Sequence, residues 1–82
     1  MKNSLPNRQP HYAQLDDQPI DRIARTGHFV GFCAGNIVKY VLRFELKNGL
    51  EDLLEAQQYL HWLIGYVCDP EGYVPTEHLL DG

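Results

Sequence analysis

The sequence predicts an all-α protein, a small helical domain built on a central antiparallel pair of helices. Two long segments, about 29–46 and 50–68, carry apolar residues at helical spacing. Between them, Lys47-Asn48-Gly49 supplies residue types that tolerate the left-handed backbone at a helix end. Because the link is so short, the two helices should lie side by side as an antiparallel hairpin.

A short helix is expected before this hairpin. Pro19 suits the first position of a helix, and Thr26-Gly27 ends the segment about two turns later. The chain then divides into an extended N-terminal arm (1–18), a helical core domain (19–68) and a C-terminal turn and tail (69–82).

The pattern of apolar residues predicts which face of each long helix is buried. The first long helix is apolar around much of its circumference, which is typical of a central helix packed on several sides. Its main apolar stripe consists of Phe29, Phe32, Cys33, Ile37, Tyr40, Val41 and Phe44. In the second long helix, the predicted inner stripe consists of Leu50, Leu53, Leu54, Leu60, His61, Ile64 and Val67. The residues expected to widen it are Tyr59, Trp62, Leu63 and Tyr66.

Size and composition predict one globular domain that associates with itself. The chain has 82 residues, and 44% of them are hydrophobic. So short a chain buries only about 60% of its unfolded surface. One Trp, five Tyr and three Phe are many aromatic side chains for so small a core. We therefore expect a homo-oligomer.

Charge and motif content exclude several classes of function. A formal net charge of −4 argues against binding to DNA or RNA polymers, because the affinity for them comes from neutralising phosphate charges with basic residues. The polar N-terminus and the lack of a long apolar run predict a cytoplasmic protein without a membrane partner. Cys33 and Cys68 have no metal-ligand spacing, so free thiols and no metal site are expected. No P-loop or dinucleotide-binding glycine motif occurs.

A polar strip crosses the first long helix. Asn36, Lys39 and Arg43 stand at i, i+3 and i+7 and therefore share a face, which Lys47 would extend. Arg and Lys are suited to phosphate, and the Asn amide can bond to a base or sugar. The strip is either a phosphate-facing site or the solvated edge of a core helix, and spacing alone leaves both open.

Two further groups of residues could contribute to a site. Glu51, Asp52 and Glu55 open the second long helix, where they could hold Mg²⁺ for a nucleotide or pair with the nearby basic residues. Ion pairing is the favoured interpretation, since no second helix supplies further carboxylates. In the arm, His11-Tyr12 could stack on a base or could fasten the arm to the core.

The whole pattern resembles a family of small tailed-phage proteins of unknown function, often labelled nucleotide kinase-like because a podophage deoxynucleoside monophosphate kinase contains this domain. The similarity covers roughly residues 11–62. The matching positions are, in order, His11-Tyr12, Pro19-Ile20-Asp21, Phe32, Gly35-Asn36, Lys39-Tyr40, Arg43, Lys47, Gly49-Leu50-Glu51-Asp52-Leu53, Ala56 and Tyr59-Leu60.

The resemblance implies a phage protein that handles nucleotides in the host cell cytoplasm and works as a homo-oligomer. It implies phosphoryl transfer from a nucleoside triphosphate without a P-loop, and it leaves the need for Mg²⁺ open. The implied substrate-binding residues are His11, Tyr12, Asn36, Lys39, Tyr40 and Arg43. The implied catalytic candidates are Lys39, Arg43 and Asp52.

Two alternatives stand beside the kinase. Because the chain is much shorter than that kinase, it could bind a nucleotide and hold it without turnover, as a sponge or regulator. It could also be a helical adaptor that binds a host protein through the aromatic side chains of Tyr59, Trp62 and Tyr66.

Overall fold

A computed structural model describes residues 18–81, and within this range the ordered elements are all helical. Helix α1 spans Pro19–Ile23, α2 spans Phe29–Arg43 and α3 spans Leu50–Cys68, and a short 3-10 helix follows at Pro75–Glu77. The predicted all-α class, the short first helix and the central hairpin of α2 and α3 are confirmed. Within residues 18–81, every helix is too short or too polar to span a bilayer.

The link between α2 and α3 begins earlier than the sequence predicts. Helix α2 ends at Arg43, three residues before position 46, and the chain then winds through turns to Gly49. The backbone N–H of Asn48 donates to the Asp52 carboxylate at 3.2 Å instead of continuing the helical ladder. Gly49 has φ +57, the left-handed conformation expected of the glycine in this link.

The core lies where α1, α2, α3 and the tail meet. Phe29 and Cys33 of α2 are fully buried, as the main apolar stripe of that helix predicts. Around them pack Ala24, Trp62 and Tyr73, each at most 8% exposed. Phe29 and Tyr66 hold their ring centroids 4.9 Å apart, which joins α2 to α3.

Helix α2 also has exposed apolar side chains. Val41 of its main apolar stripe is exposed, and Val38 and Leu42 are exposed too. The expectation that this helix packs on several sides is therefore wrong for the single chain.

The predicted inner stripe of α3 is wrong, because its aliphatic residues face outward. The residues expected to widen it are buried or half-buried, as predicted: Tyr59, Trp62, Leu63 and Tyr66. The aliphatic residues that remain exposed, by 38% to 69% of their surface, are Leu50, Leu53, Leu54, Leu60, Ile64 and Val67. His61 is exposed too. The buried face of α3 instead carries Asp52, Ala56 and Trp62. This face is buried because it meets both α2 and the tail.

The tail closes the core and is pinned by several long-range hydrogen bonds. The predicted turn at Asp69–Gly72 forms, with the Gly72 N–H donating to the Asp69 carbonyl. Beyond it, Tyr73 is 6% exposed, and the Trp62 indole N–H donates to the Pro75 carbonyl at 2.8 Å. The Thr76 hydroxyl and N–H donate to the Asp21 carboxylate of α1 at 2.7 and 3.0 Å. Arg25, just after α1, donates to the Tyr73 carbonyl at 2.9 Å.

Candidate functional site

An open cleft lies at the turn of the hairpin, where α2 ends and α3 begins. Its volume is about 460 Å³. The side chains around it are Tyr40, Arg43, Asn48, Glu51, Asp52, Leu54 and Glu55. The cleft therefore brings together the end of the predicted polar strip and the predicted acidic group.

Arg43 and Asp52 form the centre of the cleft. The Arg43 Nε donates to Asp52 Oδ1 at 3.2 Å, and Nη2 lies 3.2 Å from the same oxygen. Asn48 adds its backbone N–H to Oδ2 at 3.2 Å and its side-chain amide to Oδ1 at 3.4 Å. Asp52 is only 1% exposed, whereas the Arg43 side chain is 39% exposed. The buried carboxylate is thus hydrogen-bonded on both oxygens and anchors a cation that reaches solvent.

The protonation state of Asp52 follows from these contacts. Burial by itself would raise the pKa of the carboxyl. The hydrogen bonds from the Asn48 backbone, Arg43 and the Asn48 side chain, together with the charge of Arg43, outweigh burial and lower the Asp52 pKa below its usual 3.8. Asp52 is therefore ionised at neutral pH, and the predicted ion pairing between the acidic group and the polar strip is confirmed for this pair.

Lys39 and Arg43 both lie over the ring of Tyr40. The Lys39 Nζ is 4.6 Å and the Arg43 Cζ 5.0 Å from the ring centroid, within the range of a cation–π contact. Tyr59 stacks on Tyr40 with centroids 6.0 Å apart and an interplanar angle of 18°. Tyr40 is therefore fixed between α3 and the two cations, so that it positions the charges of α2.

The other predicted site residues have different surroundings. Asn36 is half-buried, and its side-chain amide donates to the Phe32 carbonyl one turn earlier at 2.9 Å. This bond ties Asn36 to its own helix. His11 and Tyr12 lie outside the described residues.

The sequence interpretation missed the role of Asn48, which it treated as part of a helix stop. Asn48 stands four residues before Asp52, a spacing at which a short polar side chain and a carboxylate at a helix start can bond to each other. That spacing was the available signal. Among residues 18–81, no group of three or more His, Cys, Asp or Glu side chains is arranged to hold a metal ion.

The aromatic residues considered for an adaptor surface belong to the core. Trp62 is 8% exposed, and its indole N–H is occupied by Pro75. Tyr59 packs edge-on against Trp62, with centroids 5.4 Å apart, and Tyr66 packs against Phe29. In this structure these rings hold the helices and the tail together.

Comparison with known proteins gives a family for the chain. The model of DUF3310, a family of proteins of unknown function, matches residues 6–61. The chain belongs to this family. The DUF3310 match includes α1, α2, the cleft and most of α3, while Trp62 and the tail follow it. No curated protein and no solved structure matches the chain.

Proposed function

We propose that this chain binds a nucleotide at the hairpin cleft, with a phosphate group on Arg43 and Lys39. The observation that carries the proposal is the way in which Asp52 holds Arg43. A guanidinium group has five N–H donors, and Asp52 accepts the one on Nε, while Nη2 lies 3.2 Å from the same oxygen as an ion-pair contact. The remaining donors are left to bind an anion in the cleft, and Lys39 adds a second, exposed charge on the same helix.

The carboxylates of the cleft narrow the choice of ligand. Glu51 and Glu55 line the same cavity as Arg43, so a simple polyanion would meet repulsion there. A nucleotide has hydrogen-bond donors on its sugar and base as well as its phosphate. These donors can bind to the carboxylates while the phosphate binds to the cations. This mixture of charges supports a nucleotide over inorganic phosphate.

The family resemblance extends this proposal to a reaction and a setting. The protein would be a tailed-phage protein acting in the cytoplasm of the host cell. It would transfer the terminal phosphoryl group of a nucleoside triphosphate to a phosphate oxygen of a deoxynucleoside monophosphate, giving two diphosphates. In that reaction Lys39 and Arg43 would neutralise charge on the transferred group. Asp52 would act by holding Arg43, since its oxygens are already bonded.

A second candidate is a protein that binds the nucleotide without turning it over. The observation that favours it is the bonding of Asp52, since both of its oxygens are already hydrogen-bonded and it can do no more than hold Arg43. Both candidates use the same cleft, so they differ in product formation and not in binding.

Calorimetric titration with dGMP, dTMP and ATP tests the proposal. We expect one of them to bind, and we expect Lys39→Ala to weaken its binding about tenfold, because a hydrogen bond to a charged group contributes about 1.5–3 kcal/mol. Lys39 is exposed and does not touch Asp52, so its removal leaves the hairpin turn intact. Lys39 reaches the cleft by lying over the ring of Tyr40, which lines it. Lys47→Ala is the matched control, since Lys47 is an exposed lysine outside the cleft lining and is not placed over that ring.

The outcomes separate the alternatives. Formation of a deoxynucleoside diphosphate from dGMP or dTMP with ATP supports the kinase, and binding without product supports the sequestering protein. If none of the nucleotides binds, or if Lys39→Ala binds as the wild type does, the proposed site is wrong.

A further inference from the structure

Helix α3 presents an exposed stripe with the repeat of a helix-to-helix seam. Positions 50, 53, 57, 60, 64 and 67 are separated alternately by three and four residues, the spacing of a heptad repeat. We name this stripe the α3 seam; its members are Leu50, Leu53, Gln57, Leu60, Ile64 and Val67. The five aliphatic members are exposed by 38% to 69% of their surface.

We infer that the α3 seam packs against the α3 seam of a second copy of this chain. A heptad stripe inserts its side chains between those of a facing helix that carries the same spacing. An identical helix meets this requirement, and a two-fold axis then places the same stripe on both sides of the interface. The inference concerns a different surface from the cleft and does not depend on nucleotide binding.

Charge supports a second copy as the partner. In a parallel symmetric pair, a charge in the stripe would face the same charge of the second copy, so an uncharged stripe is suited to self-association. The six members of the α3 seam are uncharged. The adjoining positions that flank a heptad seam, Leu54, Ala56, His61, Leu63 and Cys68, include no Asp, Glu, Lys or Arg. The charged residues of α3, Glu51, Asp52 and Glu55, lie outside both sets.

Gln57 supports the same partner. It is the one polar member of the α3 seam, and a polar residue at such a position fixes the register of a helix pair. An amide carries both donors and an acceptor, so it can bond to its own copy, to a backbone carbonyl or to water at the seam edge. A second copy brings a matching amide to the seam, which a wholly apolar partner does not.

Among residues 18–81, no other element covers the α3 seam. The tail lies against another face of α3, through Gln58, Trp62 and the position of Gly65. The seam runs along roughly 26 Å of α3, so it requires a facing helix of similar length.

Sedimentation equilibrium across a concentration series tests the inference. We expect the wild-type protein to have a mass that is a multiple of 9.4 kDa. We expect Leu60→Glu to sediment at 9.4 kDa, because it places a carboxylate of each copy inside the seam. Leu42→Glu is the matched control, as Leu42 is an exposed leucine of α2 and lies outside the α3 seam; this variant should keep the wild-type mass.

Circular dichroism of the same samples separates loss of association from loss of folding. A helical Leu60→Glu monomer supports the inference. If Leu60→Glu loses its helices, Gln57→Glu provides the second test: it changes one exposed polar side chain, and we expect it to lower the association constant at least tenfold. A wild-type protein that stays monomeric at hundreds of micromolar would overturn the inference, as would Leu60→Glu or Gln57→Glu associating like the wild type.

Discussion

Arg43 and Asp52 are nine positions apart, and the Arg43 Nε lies 3.2 Å from the Asp52 Oδ1. Arg43 is the last residue of α2, and Asp52 stands in the first turn of α3. The same contact therefore fastens the two long helices at their turn and fixes the cation of the cleft. A variant at either residue should change the stability of the hairpin as well as the properties of the site.

Asp52→Asn should alter the dependence of stability on pH. The Asp52 pKa is lowered in the folded protein, so the stabilisation it provides is fully present above its usual pKa of 3.8 and is lost as the pH falls through the folded value. We expect the melting temperature of Asp52→Asn to be lower than that of the wild type at neutral pH.

The difference between the two proteins should shrink below pH 3.8. Melting curves recorded by circular dichroism from neutral pH to below that value measure it. Other carboxyl groups titrate in both proteins, so the difference isolates Asp52. A constant difference across the whole range would contradict the assigned ion pair.

Gly65→Ala and Gly35→Ala should act in opposite directions. A Cβ at Gly65 would lie 2.8 Å from the Tyr73 Oη and closer still to the ring, whereas a Cβ at Gly35 would meet nothing within 4 Å. Overpacking costs about 1–3 kcal/mol, while alanine in place of glycine within a helix gains up to about 1 kcal/mol.

We therefore expect the free energy of unfolding, measured by urea titration, to fall for Gly65→Ala and to rise for Gly35→Ala. Each variant is the control of the other, because both make the same substitution inside a long helix. A gain in stability for Gly65→Ala would show that Tyr73 does not pack against α3.

Trp62→Phe should loosen the tail. It removes the indole N–H that donates to the Pro75 carbonyl and leaves that carbonyl with the bond from the His78 N–H. A hydrogen bond contributes about 0.5–1.5 kcal/mol net, so we expect the melting temperature to fall by about 4–8 °C for each kcal/mol lost.

Tyr66→Phe is the matched control for Trp62→Phe. It changes a half-buried aromatic residue of α3 but keeps the ring that packs on Phe29. We expect a change within about 0.5 kcal/mol, as is usual where no buried bond is broken. Equal losses in the two variants would show that the Trp62 bond to Pro75 contributes nothing specific.

The two thiols should react at very different rates. Cys33 is fully buried, and burial raises the pKa of its thiol to about 11, while Cys68 is exposed. Since the thiolate is the reactive form, a chromogenic disulfide reagent at pH 8 should modify one thiol per folded chain quickly. The Cys68→Ser variant should show no fast reaction until it is unfolded by denaturant. A fast-reacting thiol in that folded variant would place Cys33 near the surface.

The sequence predicts the helices better than their faces. The bounds of α3 and the turn at Gly49 follow from local signals, namely apolar spacing and a glycine that accepts positive φ. Which face of α3 is buried depends on where the tail docks, and a contact such as Trp62 with Pro75 spans 13 positions that no helical period describes. The spacing of aliphatic residues pointed to the face of α3 that is exposed to solvent in the single chain.

The candidate site is predictable in the same partial way. Helical spacing places Lys39 and Arg43 near each other, and both do lie over Tyr40. The spacing could not show that Asn36 bonds back to its own helix, because that choice depends on how deeply its side chain is buried. Nor could it show that Asn48 completes the bonding of Asp52, which depends on the path of the turn.

The docked tail has a consequence for folding kinetics. The α2–α3 hairpin closes over a few link residues, whereas the bond from Thr76 to Asp21 joins positions 55 apart. Closing the longer loop costs more chain entropy, so we expect the hairpin to form first and the tail to dock after the rate-limiting barrier. Weakening the hydrogen bonds between Thr76 and Asp21 should then speed unfolding and leave the refolding rate nearly unchanged. Stopped-flow kinetics of Asp21→Asn would show this. Docking of the C-terminal tail would thus determine the lifetime of the native state.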